Sequence, residues 1–403
     1  QSSCAFFSFR KAYCISVKVK LKIVPPNRAN FRGFVKGKGG WKAQNGYYIF
    51  VMVLSIVLSV LFLLGDAGVL FLGQKSFGRL PQGERLERIV KSPNYDGKAF
   101  VNLDPTDLMV RKKSRFRIMR ELWMGDKSGA VRVPDSMTVI RTDLKSLPDD
   151  KDWLVWFGHS SYLMNLSGKK VLVDPILYSG SPVSFVNKMF PGTDVYKPKD
   201  FPDIDYLVIS HDHWDHLDYE AVTELEPRVK KVVCGLGVGS HFEYWGYPKE
   251  KLVELDWWEG ADVGDFHVTA TPARHFSGRD LHRNKTLWAS YVLKTPKRTI
   301  WIGGDTGYGS HFAKIGEKFP GIDLAIVENG QYNTDWAFVH TMPEYLGKVM
   351  TELKAARYLT VHHSRFCLSK HDYRDPIKNA KKAAEESGKP LLMPQMGEVL
   401  YLE

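Results

Sequence analysis

Cysteine is scarce: the 403 residues hold four, Cys4, Cys14, Cys234 and Cys367, and no two of them stand as CxxC. Zinc ribbons and thioredoxin-like redox motifs are thereby excluded, and a disulfide framework is not expected. A GxSxG elbow is also missing, so serine-hydrolase chemistry has no signature here. Acidic residues are absent from residues 1–45, which carry ten Lys or Arg. The remaining chain sets 46 basic residues against 45 acidic ones, so a net charge of +11 falls to +1 once this tail is set aside. Basicity therefore belongs to the tail, and no nucleic-acid partner is expected. Histidine is missing from the first 158 residues, and all thirteen lie between His159 and His371.

What is present divides the chain into four parts. Residues 1–45 are the basic tail. Residues 46–73 open with GYYIFVMVLSIVLSVLFLLG, Gly46–Gly65, a run of twenty residues without a charge. A helix of that length rises about 30 Å, the thickness of a hydrocarbon core. It reads as a transmembrane or signal-anchor helix, with Tyr47 and Tyr48 at one interface; a buried core helix and a cleaved signal peptide compete. Basic residues before it and Asp66 after it place the N-terminus in the cytosol and the rest on the other side. The chain opens on Gln1 and its first methionine is Met52. Residues 1–51 are therefore either a native extension or translated upstream sequence, and a start at Met52 would remove the tail and its orientation argument. Residues 76–150, with Pro93, Pro105, Pro134 and Pro148, read as an extension packing on the main domain.

Residues 151–403 have the texture of an α/β domain. KVLVD (170–174), YLVIS (206–210), KVVCG (231–235), FHVTAT (266–271), TIWIG (299–303), DLAIV (323–327) and YLTVH (358–362) read as strands. Most are continuous apolar runs, as in strands covered on both faces. Helical patterns fall between them at 219–225, 343–353 and 375–386, which argues for layered sheets with helices outside.

The chemistry concentrates where strands end. YLVIS runs into His211-Asp212-His213-Trp214-Asp215-His216. His211 and His213 project to one side of an extended backbone, and Asp215 and His216 follow after a turn. Three imidazoles and a carboxylate in one short loop suit Zn²⁺. Without a cation, burying them together would be costly. Further donors must come from elsewhere, and His275, Asp305 and His362 each stand near a strand end. The same donor set also suits iron or manganese.

HDHWDH resembles the HxHxDH signature of the metallo-β-lactamase superfamily. WFGHSSYLM (156–164), VLVDPIL (171–177), ELDWWE (254–259), TPARHF (271–276), GGDTGY (303–308) and VHHSRF (361–366) follow in order. Together they resemble the N-acyl-phosphatidylethanolamine-hydrolysing phospholipase D branch. The resemblance implies an αββα sandwich with two zinc ions at its edge. His211, His213 and His275 would hold one, and Asp215, His216 and His362 the other, with Asp305 between them. The choice of His362 over His363 rests on alignment. His340, in HTMPE, matches a histidine near the substrate phosphate, and His159 a turn that orients groups behind the metals. Trp257 and Trp258 read as core or pocket wall. The implied reaction is hydrolysis of a phospholipid phosphodiester at a membrane, by a hydroxide shared between two metals. A lactonase, a phosphodiesterase on soluble substrates and a non-catalytic metal-binding membrane protein are the alternatives. The sequence carries no signal for an oligomeric state.

Overall fold

The computed structural model describes residues 40–110, 133–183 and 185–403. The expected basic tail lies almost wholly outside the described residues, as does the middle of the expected extension. The chain divides into two units, Gln1–Gly68 and Val69–Glu403. Helix α1 spans Gly40–Leu72, longer at its start than the apolar run alone implied. Within it, Tyr48–Leu72 form 25 residues long and apolar enough to cross a membrane.

The second unit is built on two seven-stranded sheets. The first contains β1 (Trp153–Trp156), β2 (Tyr162–Leu166), β3 (Lys169–Val173), β4 (Ile204–Ile209), β5 (Val229–Gly235), β6 (Leu252–Leu255) and β14 (Val399–Tyr401). Its order is β14-β1-β2-β3-β4-β5-β6, parallel from β3 to β6. The second contains β7 (Gly260–Val263), β8 (Phe266–Thr271), β9 (Ser290–Lys294), β10 (Thr299–Ile302), β11 (Leu324–Glu328), β12 (Arg357–Val361) and β13 (Leu391–Leu392). Its order is β13-β12-β11-β10-β9-β8-β7, parallel from β10 to β13.

Alternation along each strand decides what each layer buries. In β4, Tyr206 and Val208 face the second sheet, where they meet residues such as Phe266, Tyr291 and Ile302. Leu207 and Ile209 point the other way, into a layer shared with Val222 and Leu225 of α3 (Tyr219–Leu225) and Phe242 of α4 (Gly239–Tyr244). On the far side, Trp301, Ala325 and Tyr358 pack under α5 (His311–Lys318), α6 (Pro343–Leu353) and α7 (Asp375–Ser387). Each fully buried Val, Leu or Ile contributes about 1.5–3 kcal/mol, so three apolar layers hold four structural ones. This is the αββα arrangement expected. Asp218 caps α3, accepting from the Glu220 and Ala221 backbone N–H groups, and Pro343 opens α6.

The described parts of the extension contribute α2 (Gly83–Val90). Arg85 Nε donates to Glu254 Oε2 at 2.7 Å, and Thr142 Oγ1 donates to the Gly397 carbonyl at 2.6 Å. Cys234 is buried and Cys367 half-buried, and both are free thiols.

Candidate metal centre

The strands that run in one direction all end at the same edge. β3 delivers Asp174 and β4 delivers the His211–His216 loop. Short turns beyond β8, β10 and β12 deliver His275, Asp305 and His362, and β11 ends on Glu328. The close approach of the two sheets there depends on Gly304. Its φ is +60°, and a Cβ would lie 2.6 Å from Ser210 Cβ, so only glycine lets the turn bring Asp305 up to the loop. His159, Asp174, His362 and Ser364 also hold positive φ, from 39° to 70°. Such backbone costs about 1–3 kcal/mol per residue and persists where surrounding structure enforces it. The enforcement is visible: the His159 N–H donates to the His363 carbonyl at 2.7 Å, and the His362 N–H to the His159 carbonyl at 2.9 Å.

The seven expected donors come together. His211, His213 and His275 form one group, and Asp215, His216, His362 and His159 another. Asp305 stands between them, 3.0 Å from His216 Nε2, 3.1 Å from His362 Nδ1, 3.6 Å from His275 Nε2 and 3.9 Å from His211 Nε2. In the first group, His213 Nδ1 lies 2.8 Å from His211 Nε2 and 3.1 Å from His275 Nε2.

The chemistry of these atoms fits a cation. His275 Nδ1 donates to the Val339 carbonyl at 2.7 Å, which leaves an unprotonated Nε2 aimed at His213. His216 Nε2, His362 Nε2 and Asp305 Oδ1 are buried without a hydrogen-bond partner. The 3.0 Å approach of His216 Nε2 to Asp305 Oδ1 lacks hydrogen-bond geometry. Orphaned buried atoms of this kind are costly, and a divalent cation satisfies them. Burial and neighbouring imidazoles hold His211 and His362 well below the ordinary histidine range. Burial also holds His275 there, against the pull of Asp305. His216 goes the other way: Asp305, Asp215 and Asp174 outweigh burial and raise it. Burial works against ionised Asp215 and Asp305, yet the surrounding histidines keep both carboxyls low.

Three acids that sequence reasoning did not single out orient the set. Asp174 Oδ2 accepts from His216 Nδ1 at 2.7 Å and from Ser210 Oγ at 2.6 Å. Asp212, inside the motif, turns away and is held by His241, Thr286 and the Gly278 N–H. Glu328 accepts from the Thr306 and Thr341 N–H groups and lies 3.2 Å from His340 Nδ1. Burial pushes Glu328 up to about 7, and for His340 that carboxylate outweighs burial, giving about 8. The strand-end position of Asp174 and Glu328 is the signal that marks them.

The remaining expectations resolve as follows. His340 packs beside the cluster, its ring 5.1 Å from that of His275 and 5.3 Å from that of His362. His159 Nε2 lies 3.0 Å from Asp215 Oδ2. His363 turns from the cluster: its Nδ1 bonds Ser364 Oγ at 2.7 Å and its ring meets Trp156 edge-on. Trp257 is buried, with Nε1 donating to the Trp288 carbonyl, and Trp258 packs partly buried against the core.

Residues 169–363 match the family described as the Beta-lactamase superfamily domain. Rv0906, an uncharacterized protein of Mycobacterium tuberculosis, is 35% identical over 317 residues, 76% of this chain and 84% of its own length. N-acyl-phosphatidylethanolamine-hydrolyzing phospholipase D 1 of Caenorhabditis elegans is 32% identical over 254 residues, 57% of this chain and 70% of its own. The mitochondrial enzyme of that name from Saccharomyces cerevisiae is 32% identical over 250 residues, 58% of this chain and 52% of its own. The two-sheet architecture, the buried His and Asp groups at one edge and these relatives agree: the chain belongs to the metallo-β-lactamase superfamily, as a metal-dependent hydrolase with N-acyl-phosphatidylethanolamine-hydrolysing phospholipases D among its relatives.

Proposed function

We propose that the chain is a dinuclear zinc phosphodiesterase of the phospholipase D type, acting on N-acyl-phosphatidylethanolamine-like phospholipids at a membrane. The observation that carries this is the convergence of six side chains around Asp305, in a chain with such relatives. His211, His213 and His275 would hold one zinc, Asp215, His216 and His362 the second, and Asp305 both. Zinc, when bound there, supplies Lewis acidity and acidifies water towards neutrality.

The rest is done by this chain's own groups. Asp174 fixes the His216 ring, and the Val339 carbonyl fixes that of His275; such outer partners set ring orientation and basicity. His159 steadies Asp215. Glu328 engages His340 Nδ1, so Nε2 is the nitrogen left for a phosphate oxygen, and a protonated ring there balances phosphodiester charge. The apolar helix Tyr48–Leu72 supports a single N-terminal span, and the ten Lys or Arg of residues 1–45 before it are the ground for a hydrolase domain on the non-cytosolic side.

The test is zinc-dependent conversion of N-acyl-phosphatidylethanolamine in mixed micelles to phosphatidic acid and an N-acylethanolamine, run beside a panel of lactones and soluble phosphodiesters. Release from the lipid alone supports the proposal. Turnover only of a lactone or soluble diester, or none that depends on zinc, refutes it.

A further inference from the structure

The six residues Gln74–Arg79, which follow α1 in the chain, contain no His, Cys, Asp or Glu. They nevertheless grip the metal-binding loop from behind. Arg279, buried, donates through Nε and Nη2 to the Ser76 carbonyl at 3.1 and 2.9 Å. Its Nη1 donates to two carbonyls of the loop, Asp212 at 2.9 Å and Leu217 at 2.6 Å. Its guanidinium lies 4.1 Å over the Trp214 ring, against which Phe77 packs edge-on at 5.0 Å. A second connection runs through His241. The Arg79 N–H donates to His241 Nδ1 at 3.1 Å, which puts the ring proton on Nε2, 3.1 Å from Asp212 Oδ2. Trp245 Nε1 donates to the Lys75 carbonyl at 2.7 Å.

These bonds are poorly explained as general stabilisation. A buried guanidinium bonded to carbonyls is costly to desolvate, and apolar packing would hold the segment at less expense. What a fixed fork of donors adds is geometry. Arg279 locks the carbonyls that flank His213–His216, and His241 locks the carboxylate between His211 and His213. Gly78 belongs to the same device. Its φ is +76°, and a Cβ there would lie 2.0 Å from His241 Nδ1.

We infer that the Gln74–Arg79 strap, acting through Arg279 and through His241 on Asp212, positions the metal-binding loop, so that metal retention depends on a segment holding no ligand. This rests on the loop being the metal holder. The test uses the full chain and compares wild type with Trp245→Phe, Arg279→Lys and Gly78→Ala. Zinc retention is read by competition with a chelating dye and the loop geometry by the visible spectrum of the Co²⁺-loaded protein. Each variant should lose zinc about tenfold more readily and shift the Co²⁺ bands, with excess zinc restoring occupancy. Trp245→Phe takes away the Nε1–H that holds the Lys75 carbonyl while keeping an aromatic ring among Tyr219, His241 and Phe242, and it decides the matter if a harsher variant does not fold. Wild-type retention and an unshifted spectrum in Trp245→Phe and Arg279→Lys overturn the inference. A wild type that binds neither metal instead overturns the proposed function beneath it.

Discussion

Asp174→Asn isolates the outer support of the metal centre with the smallest change of shape. Three donors converge on the carboxylate: the Ser210 N–H at 2.8 Å on Oδ1, and Ser210 Oγ at 2.6 Å and His216 Nδ1 at 2.7 Å on Oδ2. An amide offers one acceptor oxygen. With that oxygen towards His216, its NH2 confronts the Ser210 N–H; reversed, the NH2 confronts His216 Nδ1–H. Either way a buried donor loses its acceptor, which costs about 1–3 kcal/mol. Even with the amide oxygen kept on His216 the carboxylate charge is gone, and weakening an outer partner of a metal-binding histidine lowers retention by about 10–100-fold, or about 1.4–2.7 kcal/mol. Competition with a chelating dye should show zinc leaving Asp174→Asn at least tenfold more readily. Retention within about twofold of wild type would refute the claim that Asp174 aligns His216 for metal.

Asp305→Asn removes the one charge facing four imidazoles within 3.9 Å; bound metal should fall below two per chain and hydrolysis by at least about 100-fold, and unchanged turnover would favour a non-catalytic site. His340→Gln should raise KM for the phosphodiester about tenfold or more at unaltered zinc content, both measured on the same preparation. His311 is buried against Thr306 Oγ1, and burial holds it down to about 3. Its folded form refuses a proton that the unfolded chain accepts near pH 6.5. Stability is therefore full above that pH and declines towards pH 3, by on the order of 5 kcal/mol at most. Urea unfolding across that range should show a shallower decline for His311→Gln, and equal slopes would contradict this.

Seven strands were legible, most of them because burial on both faces writes a continuous apolar run, whereas the equally buried β1, β2 and β9 were not read as strands. Leu324–Glu328, buried along its whole length, falls within one residue of where the sequence places it, and α3 and α6, whose starts carry Asp218 and Pro343, fall where expected. Edge strands were not, since half-exposed β6 and β7 mix apolar and polar residues without a run. Helix α5, though one residue longer than α3, lacks α3's start signals, with no acidic residue in its first turn and no capping side-chain bond. The donors were legible as residue types at strand ends, but their supports were not. Asp174 ended an apparent strand with no sign of His216 beside it. The partners of Asp212 lie 29, 66 and 74 positions away, a separation that only topology closes. Asn102 sits in what read as an extension, yet its side chain bonds the His275 N–H and carbonyl.

Elemental analysis of the purified full chain, paired with phosphodiester hydrolysis before and after chelation, tests the central claim most directly. Two zinc ions per chain, with turnover lost on their removal and regained on their return, is the predicted result. A protein that carries no stoichiometric metal, or that keeps full turnover without it, would contradict the account.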